Sequence, residues 1–170
     1  RYHYSLLHKL KSAKKHLENL QDVLENTEAS AVVGNSNDFI NEVNMHLDSF
    51  FYCCGSAMDI LAREVLIYYN ITLPNHVYFR TAREQINTAR PGDALLPRLQ
   101  DPTWEQEFKD YRNSLTHEVF IGTNFNISVN ADGGRSQTVI VYPLPDNPRE
   151  VIEARTFRTN PNAFEYCKTT

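Results

Sequence analysis

Leu6, Leu10, Ala13, Leu17, Leu20 and Leu24 recur at alternating spacings of four and three, with Lys9, Lys11, Lys14, Lys15, Glu18 and Asp22 outside the seam. That period predicts an amphipathic helix over about residues 4–26. It is too short for a free coiled coil, so it is expected to pack in a bundle or against a second copy. Thr27 to Asp38 is small and polar around Gly34-Asn35-Ser36-Asn37, which reads as a loop whose Asn35 or Ser36 suits a helix cap. A longer helix follows over about 38–69, with the stripe Ile40, Val43, Leu47, Phe50, Cys54, Ala57, Leu61, Val65 and Tyr68. Phe51 and Met58 widen its apolar face, and Gly55-Ser56-Ala57 leaves room for another helix to come close.

Leu73-Pro74-Asn75 breaks the pattern, and Val77, Phe79, Ala82 and Ile86 predict a shorter helix over about 75–89, ended by Arg90-Pro91-Gly92-Asp93. Asp101-Pro102 is a helix start, with Asp as cap and Pro at the first helical position. The helix over about 102–120 buries Trp104, Phe108, Tyr111 and Leu115, and Gly122 closes it. Phe125–Val129 and Gln137–Tyr142 alternate as strands, with Asn130–Arg135 as the connecting loop of a hairpin over about 125–142. A lone hairpin is marginal in water, so it is expected to lie against the helices. Asn160-Pro161 predicts the start of a C-terminal helix over about 161–170. The expectation is one mainly α domain over residues 1–170, a helical bundle with a β-hairpin inserted after its fourth helix.

Composition narrows the class. The chain of 170 residues is 41% hydrophobic and 11% aromatic, enough for one proper core. No apolar run approaches the roughly 20 residues that span a bilayer, so no membrane association is expected. Arg1-Tyr2-His3-Tyr4 runs into a charged helix rather than a signal peptide, and three cysteines form no disulfide framework. The cytoplasm is therefore the expected compartment. A formal charge of −4 argues against broad affinity for nucleic acid, so any RNA contact needs a local basic patch.

The chemistry concentrates in Tyr111-Arg112-Asn113-Ser114-Leu115-Thr116-His117. Arg112, Asn113 and His117 stand outside the apolar stripe of their helix. A fixed cation, an amide and a group titrating near neutrality suit phosphate binding and proton transfer. Asn113 and His117 are four apart and share a helix face. Arg112 and His117 diverge by about 140° on an ideal helix, so one copy makes a wide, open site. Asp59, between Met58 and Ile60, is expected to be partly buried and to need a cation such as Arg112. His46 reads as a surface or satisfied core histidine. Cys53 and Cys54 read as small core residues. His117-Glu118 lacks the second His of a zinc-protease helix, and neither a phosphate loop nor a Gly-x-Ser-x-Gly elbow is present.

Arg112-Asn113-Ser114-Leu115-Thr116-His117, late in its helix and preceded by a long helix carrying Ser56-Ala57-Met58-Asp59-Ile60-Leu61-Ala62, resembles the motif of the HEPN superfamily. The resemblance implies a compact helical bundle that forms a homodimer and brings two motifs together. It implies a metal-independent endoribonuclease, with neither metal nor cofactor, of a toxin–antitoxin or other defence system. Arg112 would hold the scissile phosphate, His117 would act as general acid or base around the ribose 2′-OH, and Asn113 would orient His117 or bind a phosphate oxygen. Products would end in a 2′,3′-cyclic phosphate. RNA, and a protein partner or antitoxin, are the implied partners. Some members carry a Tyr two residues after the His, the target of an AMPylating antitoxin; that position is Val119 here. Other members are inactive and serve as ligand-binding or assembly modules; the alternative reading is therefore a non-catalytic bundle that binds a nucleotide or a protein partner, which predicts Arg112 in a salt bridge, with Asp59 as its candidate, and His117 packed away.

Overall fold

A computed structural model describes residues 2–27, 32, 34–99, 104–117, 126–132, 135–151, 154–157 and 162–169; at 98, 104, 115–117 and most strand positions it describes the backbone alone. The protein is mainly helical. Among the described residues the elements are α1 (Tyr2–Asn26), α2 (Ser36–Tyr68), α3 (Phe79–Ala89), a 3-10 turn (Leu96–Arg98), α4 (Trp104–His117), β1 (Asn126–Asp132), β2 (Arg135–Val141) and α5 (Ala163–Thr169). No helix among them is long and apolar enough to cross a membrane.

α1 and α2 pack along each other and form the spine. Ala13, Leu20, Val23 and Leu24 of α1 are buried, and Leu17 is half-buried. Leu10 is 48% exposed and Leu6 half-buried, so the N-terminal part of the seam is covered less than the rest. The stripe of α2 also departs from expectation. Val43, Leu47, Phe50 and Ala57 are buried as expected, while Phe39, Phe51, Ala62 and Leu66 join them and Tyr68 is 80% exposed.

The two halves of α2 serve two cores. The larger gathers Leu20, Val43, Leu47, Phe51, Phe108, Tyr111, Tyr142, Leu144 and Tyr166 from both ends of the chain. Phe51 is its centre, with ring centroids 5.1 Å from Phe108, 5.9 Å from Tyr111 and 6.1 Å from Tyr166. Offset or edge-on aromatic pairs of this kind contribute about 0.5–1.5 kcal/mol each beyond area burial. The smaller core joins Ala62 and Leu66 of α2 to Val77, Ala82, Ile86 and Leu99.

α2 stops because Asn70 takes a left-handed backbone (φ 54), which its side chain tolerates. Ile71 N–H donates to Leu66 O and Asn70 N–H to Ile67 O, both at 2.9 Å, so the last carbonyls are satisfied. The next helix starts at Phe79, four residues later than its composition implies. Tyr78 is extended (φ −116, ψ 161), and the preceding stretch delivers Val77 into the smaller core from outside any helix. Asn35 caps α2 with its carbonyl, which accepts from Phe39 N–H at 3.3 Å; its side chain donates to Asp38 instead of capping.

The hairpin is antiparallel and in register from Asn126↔Val141 to Asp132↔Arg135. Asn130, Ala131, Asp132 and Arg135, expected in the loop, are therefore in the ladder. Only Gly133 and Gly134 lie between the strands; they are outside the described residues, as are Gly122 and Phe125. The end of β2 is fixed to the bundle: Asn44 Nδ2, buried on α2, donates to Tyr142 Oη at 2.9 Å. Burial pushes the Tyr142 hydroxyl up to about 12, against the smaller opposing effect of that hydrogen bond. Ala163 N–H then donates to Tyr142 O (2.8 Å), which starts α5 beside the hairpin. Asp101-Pro102, the end of the fourth helix at 118–120, and Asn160-Pro161 lie outside the described residues.

Candidate functional site

Phe108 and Tyr111 anchor α4 in the larger core, and the Tyr111 hydroxyl donates to Pro145 O at 2.7 Å. The other two members of its expected stripe, Trp104 and Leu115, have side chains outside the described set. With that face fixed, the intervening positions are distributed around the helix. Arg112 is half-buried, Asn113 is exposed and Ser114 is buried. His117 ends the helix, and its side chain lies outside the described residues.

Arg112 crosses to α2 at Gly55. A Cβ built on that glycine would sit 2.9 Å from Arg112 Nε and 3.0 Å from its Cδ, so the close approach offered by Gly55 is filled by a side chain, not by a backbone. One turn further along α2, Asp59 is half-buried. Burial raises its carboxyl above the ordinary carboxylate value, and the charges of Arg112, Lys109 and Arg63, in that order, oppose the rise. The sequence pairing of Asp59 with Arg112 is thus an electrostatic neighbourhood of three cations. A crevice of about 10 Å3 lies between Gly55, Met58, Asp59, Phe79, Phe108, Lys109 and Arg112. That is the scale of one water, so a phosphate would meet these cations at the rim rather than inside.

A second charged group borders the first. Glu105 is 1% exposed, and it accepts from Arg83 Nη1 at 2.7 Å and from Lys109 Nζ, one turn along its own helix. Burial pushes its carboxyl up, but the hydrogen bonds from Lys109 and Arg83 outweigh that and hold it below the usual range. The group ties α3 to α4 and keeps the Lys109 ammonium beside the crevice.

On the other side of α4, Arg155 is buried and spans to Ser114 Oγ with its Nη2 at 2.8 Å. It also donates to Glu150 O at 3.0 Å and Pro148 O at 3.2 Å. These bonds hold the 146–156 segment against the motif helix. Among the described residues, no group of three His, Cys, Asp or Glu could hold a metal ion.

The fold therefore brings Arg112 and Asp59 together and leaves Asn113 on the solvent side. Sequence reasoning did not single out Lys109, Glu105, Arg83, Arg63 or Arg155. The spacings Glu105–Lys109 and Asp59–Arg63, each of four residues, were available signals for the first cluster. Arg155 has no local signal for its place at α4, because the Ser114 it reaches lies forty-one residues away.

Elsewhere, His46 is buried on α2 and its Nδ1 lies 3.3 Å from His16 Nδ1 on α1. Burial, then the neighbouring His16, lowers its pKa, and Glu42 opposes this. It is a core histidine with a histidine partner. Cys53 is buried and Cys54 half-buried; burial, then Cys53, pushes the Cys54 thiol up to about 11, which makes it a poor nucleophile.

Fold and site together define a mainly α bundle with a cation-lined crevice between its long helix and its fourth helix. No family model, curated protein or solved structure matches the chain.

Proposed function

We propose that the protein is a metal-independent endoribonuclease of the HEPN type, acting as a homodimer in a defence or toxin-type system. What supports this reading is the local charge around Arg112. Arg63, Arg83, Lys109 and Arg112 surround two carboxylates, Asp59 and Glu105, in a chain whose formal charge is −4. That local excess of cations over carboxylates is, in this reading, the basic patch an RNA contact needs. In this reading Arg112 holds the scissile phosphate and stabilises its developing charge, with Asp59 as its positioning carboxylate. The ribose 2′-OH loses its proton to a base and its oxygen attacks phosphorus. The 5′-oxygen leaves and takes up a proton, giving a 2′,3′-cyclic phosphate. His117 serves one of these proton transfers. Asn113, exposed one residue from Arg112, orients His117 or binds a phosphate oxygen. The divergence of Arg112 and His117 around α4 is why a second copy belongs to the proposal. A protein antitoxin is the partner such a system implies.

A non-catalytic bundle that binds a nucleotide or a protein partner is the second reading. It is favoured by Arg112 lying against Gly55 beside Asp59 rather than standing in open solvent. One experiment separates the two. RNA cleavage in the presence of EDTA should be lost in Arg112→Ala and His117→Ala while thermal unfolding is retained. Cleavage that persists in both variants rules out the nuclease.

A further inference from the structure

The long helix carries more than the glycine on which Arg112 rests. Gly55, Asp59, Arg63 and Ile67 are successive positions of one i,i+4 ridge, which winds around α2 toward the start of α1. Arg63 is half-buried, and among the described residues it forms no ion pair or hydrogen bond. Its charge acts on Asp59 one turn back along the helix, and its N–H groups are of the kind that also donate to an external anion. The ridge ends in an open groove of about 500 Å3 lined by Tyr2, His3, Leu61, Val65, Ile67 and Tyr68, with Glu64 as its acid. Tyr68 is 80% exposed, with its ring held edge-on against Tyr69 at 5.3 Å.

We propose that Arg63 binds a second phosphate of a single-stranded RNA held at Arg112, and that the Tyr2–Tyr68 groove receives a base of the same strand. The inference rests on the nuclease reading for its starting point at Arg112. Arg112 meets α2 at Gly55 and Arg63 leaves it eight residues on, about 12 Å of helix axis, so the two cations are successive contact points along the ridge. Asp59 stands between them and spaces the two positive positions. Beyond Arg63 the surface turns apolar and aromatic and carries an acid, which suits the face of a neutral base and not a phosphate. A cationic track that leads to an aromatic platform is the general arrangement for single strands, in which backbone and base are held by different groups.

Binding of a fluorescent 2′-O-methyl oligonucleotide, which cannot be cleaved through its 2′-oxygen, tests this on the full chain. The plot of log affinity against log salt should become shallower by about 0.7 in Arg63→Gln, the loss of one phosphate contact on a single strand. Arg63→Lys should keep the slope. Tyr68→Ala should weaken binding by about 5- to 150-fold with the slope unchanged. An unchanged slope in Arg63→Gln, unchanged affinity in Tyr68→Ala, or no binding by the wild-type chain at low salt overturns the proposal. Equal binding of poly-aspartate that ignores Tyr68→Ala also overturns it, in favour of an acidic protein partner. If His117→Ala abolishes cleavage while Arg63→Gln leaves the slope intact, this inference fails and the nuclease reading stands. If cleavage survives His117→Ala, the nuclease reading fails whatever the binding data give.

Discussion

Replacing Gly55 by alanine probes the close contact between α2 and the Arg112 side chain. The added methyl would meet Arg112 at Nε, Cδ and Cζ, at 2.9, 3.0 and 3.1 Å. The side chain must move, because real Cβ contacts are longer than this. The obstruction is a flexible side chain and not a backbone, so displacement costs about 0.5–1.5 kcal/mol, the scale of an off-rotamer side chain. Against this, alanine in a helix interior is favoured over glycine by about 0.8–1.0 kcal/mol. The two nearly cancel, and stability should change by less than about 1 kcal/mol. For a chain of this size that is a shift in Tm within about 4 °C, measurable by calorimetry or circular dichroism. Under the nuclease reading, cleavage should fall about 100-fold, the usual consequence of moving a positioning group by an ångström. A loss of more than about 2 kcal/mol would refute the reasoning, since Arg112 would then be held rigidly. Full activity would refute it differently, by showing that the place of Arg112 over Gly55 is irrelevant to function.

Three further outcomes are expected. Glu105→Ala should cost about 3 kcal/mol in urea unfolding, because it leaves Arg83 and Lys109 without their buried carboxylate. Arg155→Ala should cost about 2–3 kcal/mol and expose the 146–156 segment to protease, since Ser114 and two carbonyls lose a charged donor. Stability should fall as pH drops below about 6.5. His46 has a folded pKa below its ordinary 6.5, so the unfolded chain binds the proton more readily and acid favours unfolding. His46→Leu should flatten that part of the Tm–pH profile, and an unchanged profile would remove His46 as the cause.

Helical periodicity carried most of the bundle, because burial against a neighbour selects one face of each helix. It was least informative where a helix changes partners. The α2 stripe named Tyr68, which is exposed, and omitted Leu66, because the C-terminal half buries Ala62 and Leu66 in a second core with α3 and the residues around the 3-10 turn. The α1 seam named Leu10, which is 48% exposed because the core cluster takes α1 only from Ala13 onward. The hairpin was legible from alternation, but its loop was drawn too long; the Gly133-Gly134 pair marked the true connection between paired Asp132 and Arg135. At the site, Gly55 and Asp59 were legible as a close-approach point and a charge in need of partners. What could not be read was which cations arrive there. Arg63 acts on Asp59 by charge from one turn along the same helix, but Lys109 comes from α4 and Arg83 reaches Glu105 from α3, a convergence fixed only by tertiary packing.

The most direct test of the nuclease account is the chemistry of the RNA ends. Wild-type protein in EDTA should give fragments ending in a 2′,3′-cyclic phosphate by mass spectrometry, from RNA but not from an oligonucleotide deoxy-substituted at the cleaved nucleotides, and His117→Ala should give none. Fragments with plain 3′-hydroxyl ends, or cleavage of the deoxy-substituted strand, would contradict it.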